Sequence, residues 1–192
     1  EHGKINDYGR PTGDATVTVR NVDTGAKLQE FTSEQAVTSS SLSGDGKTLV
    51  TVEHGELYGN GQPKADATVT IRNVETGSKL QEFKSKQPVS DSCLSGDGKT
   101  LVTVETVMEY GDPKSSTAIV RNVGTGAELQ KFAHDKPVTS SCLSGDGKTL
   151  VYVEHSHYPG HSKNKSKVIV KNTGTGALLQ EFPHEKEVAS TC

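Results

Sequence analysis

The sequence predicts an all-β chain built from one four-stranded unit repeated about four times. Two observations carry this. Leu-Ser-Gly-Asp-Gly-Lys-Thr-Leu-Val begins at Leu42, Leu94 and Leu143, at spacings of 52 and 49 residues. Leu-Gln-(Glu/Lys)-Phe ends at Phe31, Phe83, Phe132 and Phe182, and Thr-Gly recurs upstream of it at Thr24, Thr76, Thr125 and Thr175. A fixed period near 50 residues marks a tandem array of structural repeats. Composition alone would also allow disorder, since only 31% of residues are hydrophobic, 5% are aromatic and none is Trp. The near-identity of the copies removes that option. No window shows a 3.6-residue apolar period, so almost no helix is expected.

Each unit reads as four short strands. In the last full copy, strand a is predicted at 138–144, b at 149–153, c at 168–172 and d at 177–182. These segments are rich in Val, Thr and Leu and are bounded by turn residues. Ser-Gly-Asp-Gly-Lys joins a to b. Its glycines allow positive φ and its Asp can accept bonds from nearby backbone, as a tight hairpin needs. The turn between c and d, residues 21–26 in the first copy, places Gly25, Gly77, Gly126 and Gly176 at the left-handed position. Four-stranded units in tandem are the blades of a β-propeller. The whole chain is then a single array: a partial blade at 1–36, blades at 37–87, 88–136 and 137–187, and the start of another at 188–192.

The residues also resemble a known repeat family. Phe132-Ala-His-Asp-Lys-Pro-Val-Thr-Ser-Ser-Cys-Leu-Ser-Gly-Asp-Gly-Lys-Thr-Leu-Val151 is similar to the first half of a WD40 repeat, and Ala67-Thr-Val-Thr-Ile-Arg-Asn-Val-Glu-Thr-Gly-Ser-Lys-Leu80 to its second half. The likeness covers essentially the whole chain. It departs where the family carries Trp-Asp, which falls on Arg20-Asn21, Arg72-Asn73, Arg121-Asn122 and Lys171-Asn172. The family's Gly-His is reduced to His134 and His184. The usual His-Ser-Trp-Asp bonds therefore cannot form, and related propeller repeats of the bacterial Tyr-Val-Thr-Asn type are a close alternative. The resemblance implies a propeller that binds protein and is not an enzyme.

The repeat register places the first residues inside a b–c connection and the last in an a strand. This predicts 15 strands, one b short of four blades. Three arrangements fit: a window of a longer array, a subunit whose open edges are completed by neighbours in a ring or filament, and an imperfect four-bladed ring.

The b–c connections, at 1–13, 53–66, 105–116 and 154–167, are the only long variable segments. Each begins with Glu and each holds one Tyr: Tyr8, Tyr58, Tyr110 and Tyr158. In a propeller these connections emerge on one face. The four Tyr either decorate a common partner-binding surface there or fold back over their own blades. His155, His157 and His161, beside Glu154, form a His-x-His set that suits zinc or copper, against a reading as solvated histidines. Cys93, Cys142 and Cys192 share one position on strand a and read as reduced, packed thiols. Asp45, Asp97 and Asp146 are explained by turn chemistry, because the alternating acidic ligands of a calcium loop are missing.

Other classes are excluded more firmly. With 21 basic and 24 acidic residues the formal charge is −3, so no nucleic-acid partner is expected. No apolar run spans a membrane, and no apolar stretch follows Glu1-His2-Gly3-Lys4 to make a signal peptide. No catalytic or cofactor motif is present. The partner is expected to be a protein or further copies of the chain. A structural subunit polymerising through open blade edges, and a glycan or small-ligand binder using the b–c connections, are the alternatives. Few cysteines suit the cytoplasm and a Ser/Thr/Gly-rich surface suits an extracellular bacterial protein, so compartment stays open.

Overall fold

The structure, a computed structural model, describes residues 2–5, 11–54, 66–109, 112–156 and 165–189. These form 15 strands in four antiparallel sheets, with no helix among the described residues. The first sheet has three strands, β1 (His2–Ile5), β2 (Pro11–Arg20) and β3 (Lys27–Ser33). The second runs β4 (Ala36–Leu42), β5 (Thr48–His54), β6 (Ala67–Asn73) and β7 (Lys79–Ser85). The third runs β8 (Val89–Leu94), β9 (Thr100–Glu109), β10 (Asp112–Asn122) and β11 (Glu128–His134). The fourth runs β12 (Val138–Leu143), β13 (Thr149–Ser156), β14 (Lys165–Asn172) and β15 (Leu178–His184). Each sheet is a meander, so the a-b-c-d reading of the sequence is the observed strand order.

The turns explain why these breaks recur. In the a–b hairpin Ser43 Oγ donates to Asp45 Oδ1 at 2.6 Å, which also accepts the Lys47 N–H at 3.0 Å. Ser43 Oγ in turn accepts the Thr48 N–H at 2.9 Å, and Gly46 takes φ 72°. The same set closes the hairpins at Ser95–Asp97 and Ser144–Asp146. The Ser hydroxyl and the Lys amide hold all three Asp carboxyls below their usual range. In the c–d turn Asn21 Oδ1 accepts the N–H and hydroxyl of Thr24, and Asn73, Asn122 and Asn172 repeat this with Thr76, Thr125 and Thr175. The expected left-handed glycines have φ of 68° to 75°.

The core lies between the sheets. One apolar cluster fills each of the three gaps: Val19 with Leu49 and Val74, then Val69 and Ile71 with Val89 and Leu101, then Val102 and Val120 with Leu150 and Tyr152. A blade is buried on both faces, which is how strands of alternating Val and Thr suffice without long apolar runs. Thr70 and Thr103 are as buried as their Val neighbours.

The position of the missing Trp is filled, not left underpacked. The Arg72 guanidinium lies over the Phe31 ring of the preceding sheet, with its carbon 5.1 Å from the ring centroid. Arg121 stands at the same distance over Phe83, and Lys171 Nζ lies 4.6 Å from the centroid of Phe132. Arg121 is itself 8% exposed, donating to Thr103 Oγ1 at 2.9 Å and to Glu128 at 3.0 Å. A cation on an aromatic face thus spans every gap where the family would place an indole.

Three details differ from expectation. Residues 2–5 form a strand, since Lys4 and Ile5 pair with Thr12 and Pro11, so the first sheet has an outer b segment. The expected a strand at the other end is not formed at 187–189, and 190–192 lie outside the described residues. The third b–c connection, read as an irregular loop at 105–116, is mostly ladder. The β9–β10 pairing continues to Glu109 opposite Asp112, helped by the β-branched Thr106 and Val107 and by a 2.7 Å Lys114–Glu109 ion pair.

Candidate functional site

Equivalent a–b hairpins sit side by side, since the Gly44 N–H bonds Gly96 O and the Asp97 N–H bonds Gly145 O, both at 2.9 Å. The second, third and fourth sheets therefore run the same way, and the roots of their b–c connections share the end opposite these hairpins. These roots are the candidate site. They begin at Glu53-His54, Glu105-Thr106 and Glu154-His155.

These roots are tied to the next sheet. His54 Nε2 bonds Val89 O at 3.0 Å, and burial holds its imidazole below the usual histidine range. In the following sheet the position is Thr106, which shares hydroxyl bonds with Ser90 at 2.8 Å and Ser116 at 3.0 Å. Ser116 Oγ accepts the Val138 N–H at 3.0 Å. In the last sheet His155 Nε2 bonds Val188 O at 3.1 Å, while Ser166 Oγ accepts the Val188 N–H at 3.0 Å and lies 3.4 Å from His155 Nδ1. His54 thus latches its root to the strand that follows and His155 its root to the backbone of Val188, while in the third sheet Ser116, held by Thr106, makes the link to Val138.

A second layer lies below. His134 Nδ1 donates to Glu154 Oε1 at 2.7 Å, and its ring meets Tyr152 edge-on at 4.6 Å. The His134 side chain is 3% exposed and its Nε2 has no partner among the described residues. The bond from His134 keeps the Glu154 carboxyl below its usual range, against the opposing effect of burial. Burial drives the Tyr152 hydroxyl well above its usual range. Ser33 takes the place of His134 in the first sheet and donates to Glu53 at 2.9 Å. In this arrangement the His134 and Tyr152 rings are buried and the Glu carboxylates are partly exposed, and it orients the root of a connection.

Of the tyrosines and histidines offered as a partner surface or metal set, His155 alone is described. Tyr8, Tyr58, Tyr110, Tyr158, His157 and His161 lie outside the described residues. His155 makes the latch just given, 11% exposed at its side chain, with Glu187 at 4.0 Å. Among the described residues no group of three His, Cys, Asp or Glu is placed to hold a metal ion. Neither Cys93 nor Cys142 forms a disulfide. The latch of His54, and of Ser116 held by Thr106, was not foreseen. Its one sequence signal is that His, Thr and His follow the Glu that opens each connection.

No family model matches the chain, and no curated protein matches its sequence. Solved structures do match in shape. The hydrazine synthase of Kuenenia stuttgartiensis superposes with a TM-score of 0.63 at 18% identity, over 88% of this chain and 43% of that one. The β-propeller domain of the trilobed protease from Pyrococcus furiosus gives 0.61 at 15% identity, over 96% and 52%. The WD40 domain of Toxoplasma gondii coronin gives 0.59 at 10%, over 90% and 41%. The four sheets are β-propeller blades. Neighbours of this fold include WD40 domains and also proteins named as enzymes, and the chain spans about half the length of those it matches.

Proposed function

We propose that this chain is a non-enzymatic β-propeller repeat module that binds a protein partner at the b–c end. The observation that carries the reading is the fate of the reactive side chains. Ser43, Ser95 and Ser144 close hairpins, His54 and His155 latch roots, and His134 is enclosed with Glu154. Chemistry-bearing residues are consumed by the repeat, while the described roots of the connections that vary in sequence lie at one end of the sheets. A rigid scaffold carrying variable segments suits recognition. The WD40 domains among the structural neighbours favour the same reading.

A photo-crosslinking residue placed at Tyr58 or Tyr158, with Glu82 at the opposite sheet edge as control, tests it. Discrete adducts from the two connection sites and none from Glu82 are expected. Equal labelling from all three sites would remove the reading.

A further inference from the structure

Asp45, Asp97 and Asp146 are the aspartates of this chain that are followed by Gly. Such a bond is chemically labile, because no side chain on the second residue hinders attack of its amide nitrogen on the Asp carboxyl carbon. The attack joins N to Cγ and expels water, made from the carboxyl hydroxyl and the amide proton. Water then reopens the cyclic imide. Addition at the side-chain carbonyl restores Asp, and addition at the main-chain carbonyl gives isoaspartate. The net change is an isomerisation that needs no oxidant, cofactor or second substrate.

The fold requires both residues of the labile pair. Gly46, Gly98 and Gly147 take φ of 68° to 72°, where a side chain is strained. A Cβ on Gly98 would also meet Thr48 Oγ1 of the preceding sheet at 3.1 Å, and one on Gly147 would meet Thr100 Oγ1 at 2.6 Å. The Asp carboxyl closes the hairpin. All three Asp are exposed, so water reaches them.

The closed hairpin restrains both reacting groups. The Gly46 N–H donates to Ser43 O, Gly98 to Ser95 O and Gly147 to Ser144 O, each at 2.9 Å, so the attacking nitrogen keeps its proton. The Asp carboxyl is held in place by the Ser hydroxyl, at 2.6 Å for Asp45 and Asp97 and 2.7 Å for Asp146, and by the following Lys amide. The same bonds keep it ionised, and a carboxylate has no hydroxyl to expel.

We propose that Asp45, Asp97 and Asp146 are latent isoaspartate sites, inert while the Ser-Gly-Asp-Gly-Lys hairpin is closed and reactive when it opens. Isoaspartate carries the backbone through the former side chain and lengthens the turn. The carboxyl is then no longer placed to take the Ser and Lys bonds, so conversion leaves a lasting mark on a blade that has opened. The chemistry is independent of the b–c end and of any partner bound there.

Peptide mapping tests the proposal, since each of the three Asp falls in a tryptic peptide of distinct sequence. The folded chain and the chain in urea are incubated side by side in mildly acidic buffer. Conversion at all three sites should run at least about tenfold slower in the folded chain, because only the open fraction reacts. Ser95→Ala removes the hydroxyl from one hairpin and should raise conversion at Asp97 about fivefold, with Asp45 and Asp146 unchanged as internal controls. Folded and unfolded rates within about twofold of each other overturn the proposal. So does a Ser95→Ala chain whose Asp97 converts no faster than in the parent. If Ser95→Ala raises all three sites together, it has loosened the whole chain, and Ser43→Ala decides. A rise confined to Asp45 is then expected, and an even rise or none overturns the proposal.

Discussion

Phe132 and Phe182 hold the same place in successive repeats and differ in what lies beyond them. Phe132 has Lys171 over its ring and the Gly176 turn at its edge, and is buried. Phe182 closes the same Leu-Gln-x-Phe segment on the last strand and is half in water. Arg121 and Arg20 form the matching pair on the receiving side: one is locked between Thr103, Glu128 and Phe83, the other folds onto its own turn. A repeat residue acquires its energetic role from the adjacent blade, as expected of an array whose stability is a sum of units and nearest-neighbour interfaces.

The largest expected effect contrasts the two rings. Phe132→Ala should cost about 3 kcal/mol in urea unfolding, and Phe182→Ala under about 1 kcal/mol in the dilute single chain. Similar losses would mean the gaps do not carry the stability. The two arginines come next. Arg121→Ala gives up a stacked ring and two hydrogen bonds and should cost about 2 kcal/mol, against about 0.5 kcal/mol for Arg20→Ala. The glycines sharpen the contrast further. Gly126→Ala meets both the positive φ and the Phe83 edge at 3.1 Å, whereas Gly25→Ala meets only the φ. The second should cost about 1 kcal/mol and the first visibly more, read as a difference in melting temperature.

The smallest effect is a pH dependence at a latch. The folded pKa of His54 lies below its ordinary 6.5, through burial, so the unfolded chain takes up a proton first on acidification. Its contribution is complete above the unfolded value and declines as pH falls below it. The urea midpoint of the parent chain should therefore drop more than that of His54→Gln between roughly pH 7.5 and pH 5.5. Parallel drops would show that the latch does not titrate.

Much of the fold was legible because it is written in turns. Ser-Gly-Asp-Gly-Lys and Asn-x-x-Thr-Gly bring their own hydrogen bonds and their own left-handed glycine, so each specifies its break locally. What joins one blade to the next was not legible. Phe83 and Arg121 are 38 positions apart, and a period near 50 residues marks every copy alike without saying which face meets which. The Arg that replaces the family's Trp read as a loss of the usual His-Ser-Trp-Asp bonds, and only the ring beneath it shows the replacement. The candidate site was less legible still. His155 read as a solvated or ligating histidine because its partner, the carbonyl of Val188, has no signature in sequence. The extension of β9 and β10 was hidden by the polar residues around Glu109 and Asp112, which look like loop.

The claim that a cation on an aromatic ring stands in for the missing indole is tested most directly by a double-mutant cycle on Phe83→Ala and Arg121→Ala, read by urea unfolding of the dilute chain. The coupling predicted for the partly buried pair is about 1 kcal/mol. Single effects that add to within about 0.3 kcal/mol would contradict it.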